Sequence, residues 1–211
     1  TMGTHYLCLN GCNCPEQRLQ RLRHFVCRDA FDIEGLAEGT LDSLVNAGYV
    51  KYPHDIFKLT REKLLKLEGF AEVSADKLLA AINEKRTVEF WRFLYSLGSP
   101  NIGRTASKLL AKTIVSSTNT QLEALLLADD ETLLAIPDVG KKTVESIKGF
   151  FCDSENTRLV AELLVQVDIP TPIVTATTEE LTGEVWVVTG TLTGLTRDEV
   201  AVFLEAKGAK V

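Results

Sequence analysis

Apolar residues recur at helical spacing along most of this chain. Leu19, Leu22, Phe25 and Val26 share one face of a short amphipathic helix set among Arg18, Arg21, Arg23 and Arg28. From 31 to 167 the pattern predicts helices throughout. Short segments such as 62–67, 75–82 and 89–97 are separated by turns carrying Gly, Asn, Asp or Pro. Residues 168–182 (DIPTPIVTATTEELT) hold two prolines, five threonines and no helical stripe, and read as a linker. The period then changes. Residues 185–189 form a β-branched and aromatic run closed by Gly190, a predicted strand, and 196–207 read as a helix capped by Gly208.

Within the helical region a local pattern repeats four times: apolar, any residue, turn residue, apolar, small, then a helix. It occurs as Ile33-Glu34-Gly35-Leu36-Ala37, Leu67-Glu68-Gly69-Phe70-Ala71, Ser99-Pro100-Asn101-Ile102-Gly103 and Ile136-Pro137-Asp138-Val139-Gly140. The turn residues Gly35, Gly69, Asn101 and Asp138 lie 34, 32 and 37 residues apart, and all tolerate left-handed backbone. Each copy is followed by apolar residues at helical spacing: Leu41/Leu44, Leu78/Leu79/Ile82, Leu109/Leu110 and Val144/Ile147. Ser99 is a polar lapse in the third copy. The expected fold is mainly α, an array of four helix-hairpin-helix motifs over 31–167.

A tight turn entering a helix leaves the first helical N–H groups without intrahelical partners, at the positive end of the dipole. A small residue there admits a phosphate oxygen to the backbone. Such a site grips duplex DNA through its backbone without reading sequence. The candidate contacts are Gly35, Gly69, Asn101, Gly103, Arg104, Lys108, Gly140, Lys141 and Lys142. Residues 99–115 carry Arg104, Lys108 and Lys112 and no acid, and Lys141, Lys142 and Lys148 follow the fourth turn. Copies one and two have Ala37 and Ala71 where the later copies have Gly, which leaves less room for a phosphate.

Composition narrows the classes. The 211 residues suit one to two domains, and 45% hydrophobic with 25% charged residues is a globular balance. A net charge of −6 argues against a globally basic nucleic-acid binder but leaves local patches open. No apolar run approaches the roughly 18 residues of a membrane span, and no secretory signal is visible at the N-terminus. No enzyme signature stands out. Gly140-Lys141-Lys142-Thr143 is not a P-loop, because Ala135 replaces the first glycine and Lys142 takes the Ser/Thr position. Four of five cysteines (Cys8, Cys12, Cys14, Cys27) fall within the first 27 residues. Their spacing, x3, x and x12, lacks the two close pairs of a tetrahedral zinc site. On spacing alone they read as spare thiols, with His5 and His24 as the other ligand types at hand.

Taken in order, these segments resemble the C-terminal half of the bacterial NAD-dependent DNA ligases. HFVCRDAFDIEGL at 24–36 is similar to that family's junction between zinc finger and first hairpin. LEGFAEVSA at 67–75, NIGRTA at 101–106 and DVG at 138–140 resemble its later hairpins. VVTGT at 187–191 and GAKV at 208–211 resemble the opening of its BRCT domain.

The resemblance implies a partial Cys zinc finger and connecting helix at 1–30, the DNA-binding domain at 31–167, a linker at 168–182 and an incomplete α/β BRCT segment at 183–211. Cys8 and Cys14 would be the second pair of zinc ligands, half a site. The first pair, the adenylation domain, the NAD-recognition segment and the OB fold would precede Thr1. The implied parent seals 5′-phosphate/3′-hydroxyl nicks in duplex DNA during replication and repair, with NAD as adenylate donor and magnesium. This chain would contribute the DNA clamp, with nicked duplex as partner, and be catalytically inactive alone. A cytoplasmic, monomeric bacterial protein is expected. The alternatives are a helix-hairpin-helix/BRCT protein–protein adaptor and the hairpin array of another repair protein.

Overall fold

The computed structural model describes residues 14–114, 120–170, 181, 183–189, 200–201, 203–204 and 207–209. The chain divides into two compact units, Thr1–Thr171 and Pro172–Val211. The described residues of the first are mainly helical, joined by turns and short loops. Its elements are α1 (Pro15–Val26), α2 (Glu38–Asn46), α3 (Pro53–Ile56), α4 (Arg61–Leu65), α5 (Glu72–Glu84) and α6 (Phe90–Ser96), followed by α7 (Arg104–Thr113), α8 (Gln121–Leu127), α9 (Asp130–Leu134), α10 (Lys141–Cys152) and α11 (Ser154–Leu164).

The four sequence repeats become four copies of one turn. Gly35 and Gly69 both sit at φ 87°, Asn101 at 60° and Asp138 at 61°, all left-handed. In each copy the amide after the turn residue donates to the carbonyl three residues back: Leu36 to Ile33 at 3.3 Å, Phe70 to Leu67 at 3.3 Å, Ile102 to Ser99 at 3.2 Å and Val139 to Ile136 at 3.1 Å. Counting from the turn residue, the sixth and ninth positions that follow are buried every time. They are Leu41/Leu44, Ala75/Leu78, Ser107/Leu110 and Val144/Ile147. The backbone reversal thus aims the same two steps of each following helix into the core.

The hairpins associate in pairs. At Gly35 a Cβ would stand 3.3 Å from Leu78 Cδ1, so the first turn lies on α5. The third turn lies on α10 in the same way: the Asn101 amide donates to Ser146 Oγ at 2.9 Å and the Ser99 hydroxyl to the Ser146 carbonyl at 3.3 Å. Ser99, the polar lapse, is thereby buried with a partner.

The two pairs are joined through α1, α3, α6 and α11. Phe25, Phe31 and Phe57 form an aromatic knot with centroids 4.2–6.2 Å apart. Arg86 lies over the Phe57 ring at 5.3 Å and donates to the carbonyls of Phe57 and Gln166 at 2.7 and 2.8 Å. Asp168, where the Pro- and Thr-rich stretch begins, still pairs with Thr87 in a parallel bridge. Buried Gln121, the first residue of α8, donates to the carbonyls of Ala111 and Ile114, satisfying acceptors at the end of α7.

In the second unit, Leu181 N–H donates to the Lys207 carbonyl at 2.9 Å; of the strand expected at 185–189, Val185 alone forms a β-bridge among the described residues. Val185, Trp186 and Val187 are exposed. Most of the helix expected at 196–207 lies outside the described residues, although 200–201 and 203–204 are helical.

Candidate nucleic-acid interface

Eight of the described helix starts fall into two kinds; α1, α3 and α6 begin on Cys14, Tyr52 and Glu89. Thr60, Thr120, Asp129 and Asp153 cap α4, α8, α9 and α11 by accepting a hydrogen bond from a first-turn amide. The helix after each hairpin turn begins instead on Ala37, Ala71, Gly103 or Gly140, in extended backbone and with no capping side chain. These four residues are exposed. At Ala37, Gly103 and Gly140 no side chain takes the amides of the helix start, and another oxygen could take the cap's place.

Charge then separates the pairs. The third and seventh positions after the turn residue are Glu38/Asp42 and Glu72/Asp76 in hairpins one and two, Arg104/Lys108 in three and Lys141/Glu145 in four. In the first two an arginine from the preceding helix bridges both acids. Arg23 lies 3.9 Å from Glu38 and 3.1 Å from Asp42. Arg61 lies 3.2 Å from Glu72 and 2.8 Å from Asp76. The hydrogen bonds to Asp42 and Asp76 are the main reason both guanidinium pKa values are raised. In hairpin two the Ser74 hydroxyl also accepts from the Ala71 amide at 2.9 Å. Acids thus sit beside these helix starts, where they complement the dipole themselves and repel a phosphate.

Neither α7 nor α10 has an acid in its first turn. Gly103 and Gly140 are exposed beside Arg104, Lys141 and Lys142, and a Cβ at either glycine would meet nothing within 4 Å. The structure therefore joins Asn101, Gly103, Arg104, Lys108, Gly140, Lys141 and Lys142 into open, cationic hairpin ends. Gly35 and Gly69 have the same turn geometry but stand beside acids. Three cations differ from a freely solvated set: Arg104 pairs with Asp29 at 3.1 Å, Lys108 lies over the Trp91 ring and Lys148 pairs with Asp130. The acid–arginine bridges had no sequence signal beyond the Glu/Asp spacing, because Arg23 and Arg61 come from other helices.

Cys14 is the N-cap of α1, half-buried and not disulfide-bonded. Cys8 lies outside the described residues, which contain no group of three His, Cys, Asp or Glu side chains able to hold a metal ion. The zinc fit is therefore incomplete on the described residues. No helix among them is long and apolar enough to cross a membrane.

A helix-hairpin-helix motif matches residues 92–160, the region of the third and fourth hairpins. Proteins named DNA ligase match almost the whole chain. That of Marinobacter nauticus is 38% identical, that of Alkalilimnicola ehrlichii 39% and that of Acinetobacter baumannii (strain AYE) 39%, each over 97% of this chain. The chain spans about 30% of the length of these relatives. Over nearly its whole length, then, the chain belongs with a segment of the bacterial DNA ligases, one that carries a helix-hairpin-helix motif.

Proposed function

We propose that this chain clamps duplex DNA by its backbone, chiefly through hairpins three and four. One observation carries the reading: the two helices that begin on exposed, uncapped glycines without first-turn acids are the two that present Arg104, Lys141 and Lys142 there. Amide donors, dipole and cations converge on the same points, a combination suited to phosphate and indifferent to base sequence. The net charge of −6 is compatible with this because most of the acids lie elsewhere, hairpins one and two included, with Asp138 and Glu145 the acids of hairpin four.

Within a whole ligase, the segment would hold the duplex around a 5′-phosphate/3′-hydroxyl nick while other domains carry out NAD-dependent sealing with magnesium. No described side chain is assigned to bond making. Cys8 and Cys14 would supply half of a zinc site, for which the described residues offer no further ligands. A monomeric, cytoplasmic protein fits this role.

The test is fluorescence anisotropy of this chain on nicked and intact duplexes across a salt series. Binding should weaken log-linearly with salt and vary little with sequence. The double variant Lys141→Glu/Lys142→Glu should bind more weakly, with a salt slope reduced by up to about 1.8, as expected for two lost phosphate contacts. An unchanged slope would remove hairpin four from the interface.

A further inference from the structure

Trp91, near the start of α6, belongs to none of the four turns. Its ring is half-buried, and the indole N–H donates to Glu89 at 2.9 Å. Three cations gather over it: Arg92 at 4.7 Å from the ring centre, Lys108 at 4.8 Å and Arg104 at 5.8 Å. Arg92 also donates to the carbonyls of Arg28 and Ala30, at 2.9 and 3.1 Å. The loop held this way carries Asp29, the partner of Arg104. Lys108 makes no ion pair among the described residues. Glu89 and Asp29 stand against these cations.

Position gives the cluster its meaning. Arg104 is the first residue of α7, at the open amides of hairpin three, and Lys108 lies one turn further along the same face. Long cationic side chains ordinarily lose rotamer freedom on meeting a phosphate. A ring that already collects their ends lowers that cost. The indole adds a flat apolar surface of the kind a deoxyribose can pack on between phosphates.

We infer that Trp91, with Arg92, Arg104 and Lys108, forms a docking surface for the sugar-phosphate backbone of the duplex, continuous with hairpin three. Arg104 and Lys108 meet phosphates, and the indole packs against the intervening sugar. The inference rests on the DNA-clamp reading and extends it to a residue outside the hairpins.

With Trp186→Phe, Trp91 becomes the only tryptophan of the chain. Its emission and its quenching by acrylamide are then followed as a nicked duplex is added, with anisotropy of the labelled duplex measured in parallel. The emission should change and quencher access should fall with the same midpoint as the anisotropy. Trp91→Ala should weaken binding about two- to five-fold, with partial recovery in Trp91→Phe. If Trp91→Ala does not fold, the emission experiment still decides. Normal anisotropy with unmoved Trp91 emission and quenching overturns the docking surface and leaves the clamp standing. No duplex binding overturns both. Protection by poly-glutamate but not by duplex also overturns it, transferring the surface to an acidic protein partner.

Discussion

Gly140→Ala separates the backbone contact from everything else at the fourth hairpin. Gly140 has φ −95° and ψ 174°, a conformation open to any L residue, and a Cβ there meets nothing within 4 Å. Ala71 holds the equivalent place in hairpin two at φ −112° and ψ 171°. Alanine is a poorer N-cap than glycine, but it also restricts the unfolded chain. These opposing effects are each roughly 0.5–1 kcal/mol, so stability should change little. The new methyl group stands where a phosphate oxygen would approach the first amides of α10. A hydrogen bond to a charged group is worth about 1.5–3 kcal/mol, and the lower end suits an exposed site, giving about a tenfold rise in Kd. No cation is removed, so the salt slope should stay constant. The assay is duplex anisotropy at several salt concentrations beside thermal melting by circular dichroism. An unchanged Kd with native melting would refute the amide contact. A falling slope would show instead that the methyl displaces the lysines.

Two further predictions concern the scaffold. His54, 5% exposed, has Nε2 3.0 Å from Glu162 and 3.3 Å from Asp55, and lies near Lys58 and Arg158. Burial holds its pKa below the ordinary 6.5 despite the pull of Asp55 and Glu162. The unfolded chain thus takes up the proton more readily than the folded one. Its contribution to stability is whole above pH 6.5 and is lost as pH falls through the depressed folded value. Urea midpoints at pH about 7.5 and about 5.5 should differ less in His54→Gln than in the parent; equal differences would exonerate His54. Leu110, fully buried under hairpin three, should cost about 3 kcal/mol when changed to Ala, measured by urea unfolding, while duplex affinity of the folded fraction stays within about twofold. A loss under about 1 kcal/mol would mean that the third hairpin is not packed on this residue.

The repeat itself was legible in the sequence because every part of it is local. A left-handed turn selects Gly, Asn or Asp whatever surrounds it, and the apolar stripe of the helix beyond follows from the helical period. That stripe begins within about ten residues of the turn, so Gly35, Gly69, Asn101 and Asp138 could be aligned without coordinates. The helical character of α1 and the candidate amide sites at Gly103 and Gly140 followed in the same way.

What the sequence could not decide is which of the charges at the helix ends are paired. That depends on which helices abut, and therefore on side chains far apart in the chain. Arg23 and Arg61 bridge the acids of hairpins one and two, Lys148 is taken by Asp130 and Arg104 by Asp29. Trp91 carried no periodic or motif signal; it gains significance only because α6 packs on α7 and brings Arg104 and Lys108 over its ring. Turn chemistry acts through neighbouring bonds, whereas ion pairing and cation–π contact act through space over a few ångströms. The sequence by itself determined four hairpins and the glycines and cations that set the last two apart; the packing of their helices decided which of those charges are paired.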